Sequence, residues 1–161
     1  MTVTLSNFST NEICYMTKHS AGFDIAANEN RNILPKQWAT ISTGLFIGGW
    51  EPLRLMSNPN DAILYTNVSI IEMIPQLQIL SRSGLASKAG VVVLNAPGLI
   101  DMDFKGELKV ILINHGEYPF EIKNGDRIAQ CVMSYVSRVL AVQVKDNLRL
   151  GGFGSTTHGK E

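Results

Sequence analysis

Short apolar runs separated by turn residues dominate the chain. The runs are rich in β-branched and aliphatic residues and are bounded by glycine, asparagine, proline and aspartate. In one run Leu108, Val110 and Leu112 alternate with other residues, which would place all three on one face of a strand. The predicted strands are 39–49, 106–114, 127–136 and 140–144. Because helical periodicity over more than about ten residues is missing, the pattern predicts an all-β sandwich or barrel.

One short helix is predicted at 83–90, where the sequence reads SGLASKAG. Ser83 could cap its beginning and Gly90 could end it. Arg82, the Ser83 hydroxyl and the Gly84 N–H follow one another at this helix start, where free N–H groups and a guanidinium suit an anion. From the residues alone, a turn without a ligand remains the alternative.

The 161 residues are predicted to form one domain and a tail. Residues 1–145 are assigned to a β domain. Within it, residues 48–68 mix glycine, proline and asparagine with aromatic residues, which indicates an inserted loop or hairpin. Residues 146–161 are polar and rich in glycine, which predicts a flexible C-terminal arm.

Charge and cysteine content limit the classes of partner and compartment. The 14 basic and 14 acidic residues balance, so no nucleic-acid or membrane partner is expected. No apolar run approaches the length of a membrane span, and the N-terminus is no signal peptide. Cys14 and Cys131 make no disulfide framework, which favours a reducing, cytoplasmic compartment. The three histidines lack metal-ligand spacing, so no zinc site is expected.

An acidic residue follows the turn at 96–98. Asp101 comes directly after Leu99 and Ile100, and a carboxylate beside apolar neighbours at a hairpin tip could be a general base that activates water. A turn-capping role for Asp101 is the alternative. Asp103 would face the other side of an extended chain, so the two carboxylates are not expected to share one site.

Two further polar residues stand in apolar surroundings. Asp24 follows a glycine inside an apolar segment, where a charge is costly unless it is paired or bound to a cation. The alternatives are an ion pair with a residue such as Arg127 and a water-mediated contact to Mg²⁺. Gln130 is the one polar side chain of its apolar run, and solvent exposure is the simplest interpretation.

The glycine-rich end of the chain could contact a ligand. Glycines let the backbone come close to a phosphate and donate N–H groups to it. Arg149 could pair with terminal phosphates, and the ring of Phe153 could stack on a base. The alternative is a disordered end whose Phe153 packs on its own domain.

In this order, five segments resemble the five motifs of the trimeric deoxyuridine triphosphatase (dUTPase) family. They are AGFDIAA (21–27), RSGLASKAG (82–90), NAPGLIDMDFKGELKV (95–110), GDRIAQ (125–130) and GGFGST (151–156). The resemblance implies a β jelly roll and a homotrimer with three shared active sites. It also implies hydrolysis of dUTP to dUMP and pyrophosphate with Mg²⁺, while the C-terminal arm of one subunit closes over a nucleotide held by the others.

The resemblance also assigns roles to residues. Asp101 matches the catalytic base that deprotonates a water for attack on the α-phosphorus, and Asp24 matches the carboxylate that meets Mg²⁺ through water. Phe104 stands where the family commonly has tyrosine, and its ring would exclude a ribose hydroxyl. The other substrate-binding matches are Arg82, Ser83, Gly84 and Gln130 near the phosphates, Asn95, Leu99, Ile100 and Lys109 at the uracil, and Arg149, Phe153, Gly154 and Ser155 in the arm.

Two departures from the family pattern leave other functions open. Residues 48–68 lengthen the path from Asp24 to Ser83, so this insertion could contact a protein partner. Arg149 lies one residue closer to Phe153 than the family's arginine does.

Two alternatives to a dUTPase remain. They are a dCTP deaminase-related enzyme, which would need a glutamate within 108–114, and a dUTPase-like binding or regulatory protein. The family resemblance would place the chain in the cytoplasm, or in the host cytoplasm if it is viral.

Overall fold

The structure, a computed structural model, describes residues 2–51 and 73–137. Within these ranges the chain is built mainly of strands, with one helix that is too short to cross a membrane. The elements are β1 (Thr2–Asn7), β2 (Gly22–Ala26), β3 (Arg31–Ile33), β4 (Trp38–Ile41), β5 (Leu45–Glu51), β6 (Met73–Ser81), α1 (Ser83–Ala89), β7 (Val91–Val93), β8 (Gly98–Ile100), β9 (Val110–Asn114), β10 (Phe120–Ile122) and β11 (Arg127–Ser137). The prediction of an all-β protein with one short helix is confirmed.

The strands form antiparallel sheets around one apolar core. The largest sheet has the order β2-β11-β6-β8, a second has the order β4-β9-β7, and β1–β5 and β3–β10 form two-stranded sheets. Leu108, Val110 and Leu112 are completely buried, as their alternation predicts. The same core contains Ile25 and Ile41. Burial of these side chains holds the sheets together.

The predicted strand at 39–49 is wrong because the structure divides it. β4 ends at Ile41 and β5 begins at Leu45, and the two strands belong to different sheets. Between them Gly44 has a φ of 71°, a left-handed conformation that interrupts an extended chain. β5 continues to Glu51, so the first residues of the predicted inserted loop or hairpin at 48–68 belong to a strand. Residues 52–68 and the predicted strand at 140–144 lie outside the described residues.

The turn between β4 and β5 is held by a carboxylate from a distant part of the chain. One oxygen of Glu107 accepts hydrogen bonds from the Ser42 hydroxyl at 2.5 Å, the Thr43 N–H at 2.9 Å and the Gly44 N–H at 2.8 Å. Lys109 Nζ lies 3.6 Å from the other oxygen. Burial raises the pKa of Glu107, but the hydrogen bonds and the charge of Lys109 outweigh burial and lower the pKa below its usual value of 4.5.

Replacing Glu107 by alanine is expected to lower the free energy of unfolding by about 3 kcal/mol, because buried N–H groups of Thr43 and Gly44 lose their acceptor at about 1–3 kcal/mol each. Glu107→Gln keeps an acceptor oxygen and should cost less than half as much. Urea unfolding of the three proteins measures both differences.

Wild type and Glu107→Gln also test the contribution of the Glu107 charge, through the pH dependence of their free energies of unfolding. Because the folded-state pKa of Glu107 is lowered, the stability from its charge is fully present above pH 4.5 and is lost as the pH falls through the folded-state value. The stability difference between wild type and Glu107→Gln should therefore shrink below pH 4.5. An unchanged difference at pH 7 and pH 3 would contradict this account.

The cysteines are both free. Cys14 is exposed, whereas Cys131 lies on β11 in the core. Burial raises the pKa of Cys131 to about 12, so its thiol stays neutral. Cys131 is therefore a small apolar core residue, consistent with the absence of a disulfide framework in the sequence.

Candidate active site

The first part of the site is the start of α1. Arg82 occupies the N-cap position in an extended conformation, and its carbonyl accepts two N–H groups of the first turn, each at 3.1 Å. Ser83 is the first helical residue, and no side-chain cap hydrogen bond is formed at Arg82 within the described part of the chain, so the predicted serine cap is wrong. The N–H groups of Ser83 and Gly84 precede the first bonded turn, so helix formation does not use them. Gly90, with a φ of 66°, ends the helix as predicted.

Three side chains converge on one buried carboxylate. Asp24 lies on β2 directly opposite Gln130 on β11, and Gln130 Nε2 donates to Asp24 Oδ1 at 3.3 Å. Arg82 Nε lies 3.3 Å from the same oxygen. Arg127 Nη1 donates to Asp24 Oδ2 at 3.1 Å. We call these four residues the arginine cluster. They come from segments that are far apart in the sequence, and the β2-β11-β6 part of the large sheet brings them together.

The charges of the arginine cluster do not cancel. The Asp24 side chain is only 4% exposed and needs these partners, because an unpaired buried carboxylate would be costly. Two guanidinium groups face this one carboxylate, so the cluster has an excess of positive charge. Arg82 also donates from Nη1 to the carbonyl of Arg127 at 2.7 Å, which fixes the plane of its guanidinium. The predicted ion pair of Asp24 with Arg127 is confirmed, and the cluster can attract an anion.

The second part of the site is the loop at residues 95–109, which we call the 95–109 loop. Ile100 at the end of β8 pairs with β6, whereas Glu107 pairs with β5. The two arms therefore join different sheets, and the predicted hairpin is wrong in its pairing. Between them a turn is closed by the Phe104 N–H, which donates to the Asp101 carbonyl at 3.2 Å.

This loop presents apolar side chains to solvent beside an acidic one. Leu99 and Phe104 are 57% and 37% exposed, and Asp101 is exposed as well. Large exposed apolar side chains that lie next to one another are common at binding surfaces. The predicted base and the residues predicted to contact the nucleoside thus lie in one loop, namely Asn95, Leu99, Ile100, Asp101, Phe104 and Lys109.

The two parts of the site lie far apart within one chain. Ile100 lies opposite Leu77, so continuation of the register places Asp101 level with Gln76, whereas Arg82 follows the far end of β6. The six residues from Gln76 to Arg82 correspond to about 20 Å of extended strand. In addition, β11 and β6 separate β2 from β8, which is about 14 Å across the sheet. One chain therefore does not bring Asp101 to the arginine cluster.

The site residues predicted from the sequence differ in part from those that the structure brings together. The arm residues Arg149, Phe153, Gly154 and Ser155 lie outside the described residues. Arg127, in contrast, is a full member of the arginine cluster, although the sequence indicated it only as a possible partner of Asp24. Arg127 lies three positions before Gln130 and would face the other side of a regular strand, but a register shift between Arg127 and Ala129 interrupts the alternation. The local sequence therefore carried no clear signal for its place in the cluster.

Comparison with known proteins identifies the family. The dUTPase family model matches residues 55–157, which is more than half of the chain. The deoxyuridine 5'-triphosphate nucleotidohydrolase of Nautilia profundicola is 40% identical over 146 residues, which cover 88% of this chain and 87% of that protein. The chain belongs to the dUTPase family. The predicted family and the prediction of a hydrolase are thereby confirmed.

Solved structures of dUTPases share the fold. The dUTPase of Staphylococcus bacteriophage 80alpha with dUpNHpp has a TM-score of 0.67 at 22% identity, and the match covers 97% of this chain and 98% of that chain. A mutant dUTPase from phage phi11 of S. aureus, described with a structural Mg(II) ion, has a TM-score of 0.64 at 21% identity, covering 91% of this chain and 98% of that chain. The predicted jelly-roll fold of the dUTPases is confirmed.

The arginine cluster of this dUTPase family member fits Mg²⁺ only together with a ligand. Among the described residues no group of three or more acidic, histidine or cysteine side chains could hold a metal ion. A carboxylate offers about four acceptor positions, of which Asp24 uses three for its protein partners. One position is left for a water. Because Mg²⁺ usually keeps several waters and binds through one or two carboxylates plus substrate phosphates, this arrangement fits a contact through water.

Proposed function

We propose that this member of the dUTPase family hydrolyses dUTP to dUMP and pyrophosphate, with Mg²⁺ as cofactor and a water as the nucleophile at the α-phosphate. The observation that carries the proposal is the division of the site into two complementary parts. The arginine cluster has an excess of positive charge and contains Arg82 and Gln130, which the family motifs assign to the phosphates. The 95–109 loop exposes Asp101 beside Leu99 and Phe104 at the positions assigned to the base and the nucleoside.

The phosphates would bind at the arginine cluster and the start of α1. Arg82 uses Nε and Nη1 within the protein, and its other N–H groups can donate to phosphate oxygens. The N–H groups of Ser83 and Gly84 and the Ser83 hydroxyl add donors that helix formation does not use. Gln130 can turn its amide between Asp24 and a phosphate. Donors held in place by Asp24 would stabilise the charge that develops during hydrolysis.

Bound together with the triphosphate, Mg²⁺ would supply positive charge that offsets the phosphate oxygens. Asp24 would contribute by accepting a hydrogen bond from a water of that ion, with its free acceptor position. Asp101 would act separately, by orienting a water and accepting its proton. Leu99 and Phe104, which expose apolar side chains in the same loop as Asp101, would shield this water from bulk solvent.

Base recognition would come from the backbone of the 95–109 loop. Loop N–H and C=O groups can pair with the edge of uracil, and an exocyclic amine in place of the uracil O4 would put donor against donor. An unpaired buried polar group costs about 1–3 kcal/mol, which gives roughly ten- to a hundred-fold discrimination against cytosine. The ring of Phe104 would occupy the space of a ribose 2′-hydroxyl.

The distance between the two parts supports a homotrimer with shared sites. About 20 Å of strand separates Asp101 from Arg82, which is too far for both to act on one α-phosphate within one chain. A head-to-tail contact in a closed ring would place the 95–109 loop of one subunit at the arginine cluster of the next. We assign residues 146–161 as the arm that closes this shared site, with Arg149 and Phe153 at the phosphates and the base.

A nucleotide assay tests the proposed function. Purified protein with Mg²⁺ should release pyrophosphate and dUMP from dUTP, and much less product from UTP, dCTP and dTTP. No product from dUTP at micromolar enzyme would overturn the proposal. Release of ammonia from dCTP would instead support a deaminase-related enzyme, although the run from Leu108 to Asn114 contains no glutamate.

Removing residues 149–161 is expected to lower kcat/KM for dUTP by about 10²-fold, because loss of closure leaves the reacting groups misplaced. The truncated protein should keep its fold and its oligomeric state, which circular dichroism and light scattering measure. Unfolding on truncation would show instead that the arm is needed for the fold.

Two further properties belong to this proposal. The free thiols of Cys14 and Cys131 are consistent with a reducing compartment, so we place the enzyme in the cytoplasm, or in the host cytoplasm if it is viral. Residues 52–68 could bind a protein partner. A pull-down that compares the full chain with a deletion of 52–68 tests this role, and unchanged partners would contradict it.

A further inference from the structure

Two residues after Phe104, a glycine lies directly against the aromatic ring. A Cβ atom on Gly106 would lie 2.7 Å from Phe104 Cζ, 3.2 Å from Cε2 and 3.4 Å from Cε1. Gly106 is not among the glycines with a positive φ, so its backbone conformation is open to other residues. A side chain at this position would therefore collide with the Phe104 ring unless the ring moved, and the ring rests against the bare Cα of Gly106.

The backbone beneath the ring is fixed by its neighbours. The carboxylate of Glu107 accepts three hydrogen bonds from the turn between β4 and β5, and Glu107 also pairs with Phe46 on β5. The next N–H, of Leu108, donates to the Leu45 carbonyl at 2.8 Å. Because these contacts hold Glu107 and Leu108 in place, the adjoining Gly106 cannot easily move away from the ring. An added Cβ would displace the ring instead.

The ring also belongs to the turn that carries the predicted base. The Phe104 N–H closes this turn on the Asp101 carbonyl at 3.2 Å. A normal carbon–carbon contact is about 3.5–4.0 Å, so a Cβ at Gly106 would move the end of the ring by roughly 1 Å. The backbone of the turn and Asp101 can stay in place while the ring turns about its own side-chain bonds.

We propose that Gly106 is a specificity-determining residue that acts through Phe104. By lacking a side chain, Gly106 seats the ring where it fills the space of a 2′-hydroxyl and so excludes ribonucleotides. This inference rests on the proposed function, because it concerns the choice between dUTP and UTP at the same site. In this role the glycine acts only through the position of the ring.

The test compares kcat/KM for dUTP and UTP in three proteins. Gly106→Ala should lower the dUTP/UTP preference by about tenfold, because rejection by a pocket depends on how well its wall is placed. Gly49→Ala is the matched control, since a Cβ at Gly49 meets no atom within 4 Å. The control should keep the preference of the wild type. An unchanged preference in Gly106→Ala would overturn the inference while leaving the dUTPase function intact.

A second variant separates an effect through the ring from a general loss of structure. In the double variant Gly106→Ala/Phe104→Ala, the added Cβ meets no ring, so both the nucleotide preference and the melting temperature should equal those of Phe104→Ala alone. If Gly106→Ala by itself fails to fold, recovery of folding in the double variant still supports the contact. A double variant that remains worse than Phe104→Ala would overturn the inference. If the wild type hydrolyses no dUTP, both the proposed function and this inference fail.

Discussion

Replacing Asp101 by asparagine is expected to lower kcat for dUTP by about 10³-fold and to leave nucleotide affinity nearly unchanged. The amide has the size of the carboxylate but cannot accept a proton from water, and general-base catalysis contributes about 10²–10⁴-fold. Asp101 is exposed, so the substitution leaves no buried group without a partner. The fold should therefore be preserved.

Pyrophosphate release and binding of a non-hydrolysable dUTP analogue measure the two effects separately. Asp103→Asn is the matched control, because Asp103 is an exposed aspartate of the same turn. The control should keep wild-type turnover to within a few fold. Near-normal kcat in Asp101→Asn would remove Asp101 as the base, and equal losses in both variants would point to the charge of the whole turn.

Mixing two inactive variants is expected to restore activity if the sites are shared. Arg82→Ala damages the arginine cluster and leaves the 95–109 loop intact, whereas Asp101→Asn does the reverse. If each site takes its cluster from one subunit and its loop from the next, a trimer that contains both variants should have both parts intact in one of its three sites. Activity should rise from the low background of the separate variants to about a third of wild type.

Co-expression with two different tags and isolation of doubly tagged oligomers provides the mixed protein. Each variant expressed alone with both tags is the control, and melting temperatures show whether either variant is misfolded. A site formed within one chain would leave the mixture as inactive as its components, since every chain has one defect. That result, or a fully active monomer in light scattering, would overturn the shared-site arrangement.

The features that local sequence could predict are those that depend on neighbouring residues. The alternation of Leu108, Val110 and Leu112 predicted a buried strand face, because strand side chains repeat with a period of two. Gly90 predicted the end of α1, since glycine readily adopts the left-handed conformation found there. The motif order predicted the family, which the comparisons bear out.

The errors concern choices between local alternatives that neighbouring residues cannot decide. Ser83 has the chemistry of a helix cap, but α1 starts one residue earlier because the chain leaves β6 directly into Arg82. The run at 39–49 mixes apolar residues with small polar residues and glycine in a pattern typical of one strand, and the left-handed φ of Gly44 divides it. The 95–109 loop resembled a hairpin, yet its arms join different sheets. Alternation indicates that a strand exists but does not say which strand it pairs with.

By itself, the sequence determined the all-β class, the short helix, the family and the identity of the chemical groups, because these follow from residue type and from spacing along the chain. Tertiary structure alone decided which groups meet. Arg127 reaches Asp24 across 103 positions, and Glu107 reaches Ser42 across 65. It also decided that Asp101 and Arg82 lie apart in one chain. Such contacts depend on the packing and register of whole sheets, which no short stretch of residues specifies.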